Sequence, residues 1–121
     1  MKLQRLDCDF SICKVNTLSG VDFSREFCFL SKTDEELSLV CLTQYAPANA
    51  LERSDGWKGF RVQGVLDFSL VGVLSQISAL LAAHHISLFA VSTYNTDYIF
   101  TKAAQFESAL QALAAAGHEI H

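Results

Sequence analysis

The chain has 121 residues, of which 50% are hydrophobic and 18% charged, and its formal net charge is −4. This length allows one ordinary domain or two very small ones, and the composition is that of a globular chain rather than a disordered or fibrous one. The nine lysines and arginines are scattered singly. We therefore expect no nucleic-acid partner, because a run of phosphates is neutralised by clustered positive charge.

The cysteines and the lengths of the apolar runs indicate a compartment. The four cysteines are Cys8, Cys13, Cys28 and Cys41. No pair has the C-x-x-C spacing of a zinc or redox site, so we interpret them as buried small apolar side chains and expect no metal ion. No apolar run reaches the roughly 18 residues of a membrane span, and no signal peptide is recognisable at the start. We therefore expect a cytoplasmic protein without a membrane partner.

The first half of the chain is predicted to be nearly all strand. Apolar and polar residues alternate over residues 6–12, which predicts a half-buried strand with Ser11 on its solvent face. Two more strands are predicted at 27–32 and 37–43, joined by a polar turn. Residues 45–55 lose this periodicity and form the predicted linker.

The second half is predicted to follow the order strand, helix, strand, strand, helix, strand. A strand at 57–64 leads into a helix whose apolar stripe begins at Leu70, with Ser69 as its N-cap. Two helices on one face of an antiparallel four-stranded sheet form the ferredoxin-like arrangement, so the predicted class is α+β. The later strands are predicted at 86–92, 97–101 and 118–121, with the second helix ending before Gly117.

A fragment of the same pattern occurs in the first half. Residues 21–24 echo residues 66–69, and residues 31–36 span the same positions as residues 92–97. The simplest interpretation is a tandem of two related units, in which the first has lost most of its first helix and strands can be exchanged between the halves. The predicted units are a smaller, strand-rich unit at residues 1–56 and a complete unit at residues 57–121.

The second half resembles an ACT domain, the small regulatory module that binds amino acids in biosynthetic enzymes. The likeness rests on Asp67 in the loop, residues 72–74 at the helix start and residues 86–88 in the next strand. More narrowly, residues 64–70 and 92–98 resemble the stand-alone tandem ACT proteins of bacteria, which are related to aspartate kinase regulatory domains and to the arginine-sensing CASTOR family. The loop lacks the Asp-x-Pro-Gly of many ACT domains, which leaves the ligand open. The resemblance implies a non-catalytic regulator that binds a free amino acid in the cleft between two ACT-like units.

The junction between the first strand and the first helix of the second half is the predicted binding site. A strand that runs into a helix start brings backbone N–H groups around Phe68, Ser69 and Leu70 to one point, with the positive end of the helix dipole behind them. That arrangement suits the carboxylate of an amino acid. Gly64 permits close approach of a ligand to the backbone, or it serves only the bend.

Five other residues are assigned to the site with structural alternatives beside them. Asp67 and Asp97 are candidate acceptors for an ammonium group, and two carboxylates together favour a cationic ligand. Asp67 equally suits a helix start, and Asp97 equally suits a hairpin turn. Tyr94 is a candidate cover for the aliphatic part of a ligand, or simply an exposed turn residue. Ser38 and Leu39 belong to the site only if the first unit lies beside the second.

Catalysis is the weaker hypothesis for this sequence. No nucleophile and base occur in a recognisable arrangement, and neither a P-loop nor a dinucleotide fingerprint is present, so we expect no enzyme activity and no cofactor. The alternative to an amino-acid sensor is an interaction module that forms a homodimer through its sheet edges. Any downstream protein partner is left unidentified by the sequence.

Overall fold

The computed structural model describes residues 1–65 and 72–121 of the chain. In this part of the chain the helices are α1 (Val73–Ala83) and α2 (Ala103–Ala115), and a 3-10 turn covers Thr43–Tyr45. The order from β4 to β7 is strand, helix, strand, strand, helix, strand. The α+β class and the ferredoxin-like arrangement are thereby confirmed. The strands are β1 (Lys2–Lys14), β2 (Phe29–Lys32), β3 (Leu37–Leu42), β4 (Glu52–Val62), β5 (Leu88–Ser92), β6 (Asp97–Lys102) and β7 (Glu119–Ile120).

The described residues form two compact units. The first, here called the helical unit, comprises Met1–Asp7 and Lys58–His121, and the second, the strand-rich unit, comprises Cys8–Trp57. Strands β1 and β4 therefore each contribute residues to both units. The predicted boundary between residues 56 and 57 separates two related sequence repeats rather than two compact units. This division into repeats stays a prediction.

The sheet of the helical unit has the strand order β7-β1-β4-β6-β5. β7 runs parallel to the start of β1, with Leu3 opposite Ile120, and β5 pairs antiparallel with β6. The apolar stripe predicted for α1 is borne out by Ile77 and Leu81, which are at most 1% exposed and belong to the buried cluster of this unit. That cluster also contains Leu3, Phe60, Val62, Ile86, Ile99, Phe106, Ala109, Leu110 and Leu113.

Helix α1 begins later than the apolar stripe predicts. Gly72 occupies its N-cap with a φ of 81° and a left-handed conformation, so the helix begins at Val73. A residue in that conformation interrupts an α-helix, and glycine adopts it at little steric cost. The prediction that Ser69 caps this helix is therefore wrong, since Gly72 holds that position. Ser69 itself lies outside the described residues.

The strand-rich unit has the strand order β2-β3-β1-β4. β4 begins at Glu52, so the end of the predicted linker is strand. Ser11 was predicted to face solvent but is 0% exposed. Its hydroxyl donates to the carboxylate of Asp55 and lies 2.9 Å from the hydroxyl of Thr43. These two contacts satisfy a buried polar group, which explains why a serine is tolerated there.

The two hairpins of the chain share one geometry. In the β2–β3 turn the N–H of Thr33 donates to the carbonyl of Glu36 at 2.9 Å, and in the β5–β6 turn the N–H of Thr93 donates to the carbonyl of Thr96 at 2.8 Å. The strands of the two hairpins pair in the same register next to the turn, with Lys32 opposite Leu37 and Ser92 opposite Asp97. Residues 32–37 thus correspond to residues 92–97, whereas the sequence comparison matched residues 31–36 with them.

Burial of the cysteines is only partly as predicted. Cys13 and Cys41 are 1% and 4% exposed, whereas Cys8 and Cys28 are half-buried. All four are free thiols. Burial raises the pKa of the Cys41 thiol to about 12 and also raises the pKa of Cys13 and Cys28. Among the described residues no helix is long and apolar enough to cross a membrane.

We expect Cys41 to be nearly inert to a thiol reagent at pH 8 in the folded protein. A pKa of about 12 leaves roughly one thiolate in ten thousand at that pH, and the thiolate is the nucleophile. Half-buried Cys8 should react first, and a Cys8→Ser variant should lose the fast phase, measured by absorbance of the released chromophore. The control is unfolded protein, in which all four thiols should react. Equal rates for Cys8 and Cys41 in the folded chain would contradict this expectation.

We expect Gly59→Ala to destabilise the helical unit. A Cβ at Gly59 would lie 2.9 Å from two ring carbons of Phe100, which is itself fully buried and stacked at 4.8 Å on Phe89. Overpacking of this kind costs about 1–3 kcal/mol, measurable as a lower midpoint of urea unfolding. The Phe100→Leu background provides the control. The cost of Gly59→Ala should shrink there, and an unchanged cost would show that the ring is not the cause.

Candidate ligand-binding site

A depression of about 340 Å³ opens where β4 ends and the β5–β6 hairpin turns. Both of its walls belong to the helical unit. One wall is the end of β4 with the residues that follow it, and the other is the turn with the start of β6. The described residues that line it are Arg61, Val62, Gln63, Gly64, Val65, Thr93, Asn95, Thr96 and Tyr98.

Gly64 makes the bend at the rim of this depression. Its φ is 96°, and a Cβ built on it would meet no atom of the described residues within 4 Å. The requirement for glycine therefore comes from the backbone conformation rather than from crowding, because L side chains are strained at such a φ. The predicted bend at Gly64 is present, and its predicted role in the close approach of a ligand stays a prediction.

Thr96 ties the hairpin turn to the end of β4. It is 7% exposed, and its hydroxyl donates to the carbonyl oxygen of Val62 at 2.6 Å. The hydroxyl of Thr93 donates to the carbonyl of Thr96 at 3.0 Å, which closes the turn on itself. The bond from Thr96 to Val62 thus joins the two walls of the depression, and the bond from Thr93 to Thr96 stabilises the turn that forms one of them.

Arg61 brings a positive charge to the depression. Its Nη1 donates to the hydroxyl of Tyr98 at 3.3 Å, and its guanidinium carbon lies 6.0 Å from the centre of that ring. Both side chains are half-buried. Among the described lining residues, Arg61 is the only charged one.

The other predicted residues of the second half have mixed positions. Asp97 begins β6 beside the depression, and its carboxylate accepts from the hydroxyl of Ser92 at 2.6 Å. Tyr94 lies in the turn and is 80% exposed. Neither belongs to the described lining. The remaining four, Asp67, Phe68, Ser69 and Leu70, lie outside the described residues.

Ser38 and Leu39 lie in the strand-rich unit. Ser38 lines a second depression, of about 350 Å³, within that unit. Leu39 is 1% exposed and pairs with Cys13 on one side and Leu30 on the other. Its side chain belongs to the core of its own unit. A role for these two residues in ligand binding stays a prediction.

Sequence reasoning missed several residues that line the depression. Arg61 lies within the strand predicted at 57–64, but the sequence did not connect it with the loop at the strand end. Thr93 and Thr96 lie between the strands predicted at 86–92 and 97–101, and their hydrogen bonds were not predicted. Hydroxyl residues three positions apart in a tight turn were the available signal. Within the described ranges, no group of three His, Cys, Asp or Glu residues could hold a metal ion.

The chain belongs to the ACT domain family, whose model matches residues 52–115 and so more than half of the chain. ACT domains are regulatory modules that often bind amino acids. The prediction of an ACT unit in the second half is therefore confirmed. The narrower likeness to the CASTOR family stays a prediction.

Solved structures of similar proteins cover nearly the whole chain. A protein of Agrobacterium tumefaciens is 28% identical with a TM-score of 0.87, and the match covers 99% of this chain and 91% of that one. A Vibrio cholerae protein of unknown function, described as a possible transport protein, is 26% identical with a TM-score of 0.77, over 94% of this chain and 88% of that one.

A regulatory subunit of an aspartate kinase shares the fold. The ligand-free subunit from Thermus thermophilus is 10% identical with a TM-score of 0.68, and the match covers 95% of this chain and 96% of that one. At this identity the likeness concerns the fold alone. No curated protein matches the chain.

We expect Thr96→Val to loosen the depression and lower stability. The substitution leaves the buried carbonyl of Val62 without the 2.6 Å hydrogen bond from Thr96, and an unsatisfied buried acceptor costs about 1–3 kcal/mol. Thr96→Ser keeps the hydroxyl and is the matched control. Urea unfolding monitored by tryptophan fluorescence gives the free energy of unfolding of both variants. Equal losses for valine and serine would show that the hydrogen bond is not responsible.

Proposed function

We propose that this protein is a non-catalytic regulator that binds a free amino acid at the depression between the end of β4 and the β5–β6 turn. The observation that carries the proposal is the position of this depression in a chain of the ACT family, at a strand end bent by Gly64. Its volume of about 340 Å³ lies at the lower end of the range typical of small-ligand sites.

The lining has the polar groups that an amino acid needs. A free amino acid requires donors for its carboxylate, acceptors for its ammonium group and a surface for its side chain. The side-chain amides of Gln63 and Asn95 both donate and accept hydrogen bonds, whereas the hydroxyl of Thr93, which already donates to the carbonyl of Thr96, can only accept. Val65, which is 74% exposed, supplies apolar surface at the same place.

The segment that follows Val65 supplies the rest of the proposed site. Asp67, Phe68, Ser69 and Leu70 stand in the sequence between Val65, which lines the depression, and the N-cap of α1. We assign the α-carboxylate of the ligand to backbone N–H groups of residues 68–70, since N–H groups near a helix start are natural anion donors. The ammonium group is assigned to Asp67 or Asp97, with Tyr94 as a cover at the rim.

A regulator that senses a metabolite passes the signal to another protein or to a second copy of itself. We propose the cytoplasm as its compartment, because all four cysteines are free thiols. The second candidate function is a homodimerising interaction module without a ligand. It is favoured by β5, which is the last strand in the order of the helical unit's sheet and so leaves an edge for pairing.

A thermal-shift panel of the twenty amino acids at millimolar concentration separates the two functions. A ligand present at 100 times its dissociation constant adds about 2.7 kcal/mol to stability, which raises the melting temperature by several degrees. We expect at least one amino acid to produce such a shift. If no amino acid raises the melting temperature, the homodimerising interaction module is the better-supported function.

Asp97→Ala should weaken the shift produced by that amino acid, because its ammonium group loses an acceptor. Asp34→Ala is the matched control, since it removes an exposed carboxylate from the equivalent hairpin of the strand-rich unit. The melting temperature without ligand reports the effect of losing the Ser92 hydrogen bond alone. An undiminished shift in Asp97→Ala would remove this residue from the site.

A further inference from the structure

We propose that Cys28 and Cys41 of the strand-rich unit form a thiol oxidation site, at which a small-molecule disulfide converts the two thiols into an intramolecular disulfide bond. This inference goes beyond the proposed function and does not depend on a ligand. It rests on the register of the β2–β3 hairpin, every residue of which is described.

The register of the hairpin places the two cysteines opposite each other. The β2–β3 ladder ends with Phe29 opposite Val40. One position beyond that pair, the same register sets Cys28 opposite Cys41. Residues that are directly opposite in an antiparallel pair project their side chains from the same face of the sheet. The negative charge of an ionised Cys28 also raises the pKa of Cys41, as expected of near neighbours.

The 28–41 pair falls at the closer of the two kinds of position in an antiparallel ladder. Hydrogen-bonded pairs alternate there with non-hydrogen-bonded pairs. The N–H of Thr33 donates to the carbonyl of Glu36, so that pair is hydrogen-bonded, and alternation outward from it makes the 28–41 pair non-hydrogen-bonded. The Cα atoms of such a pair lie about 4.5 Å apart, within the roughly 4.4–6.8 Å that a disulfide bridges.

Cys13 is less well placed to form a disulfide with Cys41, although their thiols interact by a hydrogen bond. In the β1–β3 ladder Cys13 lies opposite Leu39. Cys41 lies opposite Ser11, so the two cysteines are diagonal neighbours. Diagonal positions are about 7–8 Å apart, which a disulfide does not bridge without backbone movement. The register therefore favours Cys28 as the partner of Cys41.

The two thiols differ in exposure, which sets the order of the chemistry. Cys28 is half-buried, whereas Cys41 is 4% exposed. The thiolate of Cys28 attacks one sulfur of oxidised glutathione, forms a mixed disulfide and releases one glutathione thiolate. The thiolate of Cys41 then attacks the Cys28 sulfur and releases the second glutathione. The two cysteines lose two electrons to one glutathione disulfide, and their two protons pass to the glutathione thiolates.

Burial makes this reaction slow but does not prevent it. Burial raises the pKa of both thiols, so the rate should increase as the pH rises and the thiolates become more abundant. Cys41 is closed to an external reagent but lies beside the sulfur that it attacks. That proximity offsets its small thiolate fraction.

The disulfide fastens the outermost strand of the strand-rich unit. β2 is the end strand in the sheet order, and its residues 30–32 are exposed. Phe27, just before it, has a left-handed φ of 57°, and its ring packs edge-on against buried Phe10 at 6.0 Å. A covalent bond at Cys28 adds a second anchor beside this aromatic contact. Oxidation therefore stabilises a strand that is otherwise prone to local opening.

The inference is tested on the full chain with oxidised glutathione at pH 8, followed by thiol counting and peptide mapping without reductant. We expect two of the four free thiols to disappear, and the map to show one bond that joins Cys28 to Cys41. Dithiothreitol should restore both thiols. The oxidised protein should melt at least about 5 °C above the reduced protein, since the bond restricts the unfolded chain.

Cysteine variants assign the bond to this pair. Cys28→Ser and Cys41→Ala should each leave no intramolecular bond and no rise in melting temperature on oxidation. Cys8→Ser and Cys13→Ser are the matched controls and should keep both. If Cys41→Ala does not fold, the Cys28→Ser variant and the map of the wild-type protein still decide. A bond between Cys13 and Cys41, a bond between two chains, or glutathione that stays attached to Cys28 would overturn the inference.

Discussion

The hydrogen bond from Thr96 to the carbonyl of Val62 is the contact on which the candidate site depends. It joins the β5–β6 turn to the last residue of β4, and these two segments are the walls of the depression. The pairing of β4 with β6 and the Arg61–Tyr98 hydrogen bond also join these segments, but the Thr96 bond is the one that holds the turn itself against the end of β4. A buried hydroxyl at 2.6 Å from its acceptor holds the walls in fixed geometry, and preorganised walls reduce the ordering that a ligand must impose.

The two units of the chain carry the same hairpin with different chemistry. The turns share their closing hydrogen bond and strand register, and β3 and β6 both bury three consecutive residues after a half-buried pair. At equivalent positions the strand-rich unit has Glu36 and Ser38, whereas the helical unit has Thr96 and Tyr98. The two hairpins thus have the same backbone geometry, whereas the side chains that line the two depressions differ in charge. This divergence suits a protein in which one unit is specialised for a ligand.

Much of the fold could be predicted because its signals are local. The helical spacing of Ile77 and Leu81 led correctly to the buried face of α1, and the turn residues before β6 led to the hairpin. The errors arose where a non-local contact overrode the local pattern. Ser11 reads as a solvent-facing residue in an alternating strand, yet Thr43 and Asp55 bond its hydroxyl and allow its burial. The start of α1 was misplaced because a serine suits an N-cap, while the left-handed φ of Gly72 sets the actual boundary.

The sequence by itself determined the order of the elements, the ACT resemblance and the bend after the strand at Gly64. These follow from periodicity and from residues adjacent in the chain. Only the tertiary structure decided that Arg61 lines the same depression as Thr93 and Thr96, and that its guanidinium donates to the hydroxyl of Tyr98. Residues 61 and 98 are 37 positions apart. Their contact arises from the placement of β4 beside β6, which sheet assembly sets and no local pattern encodes.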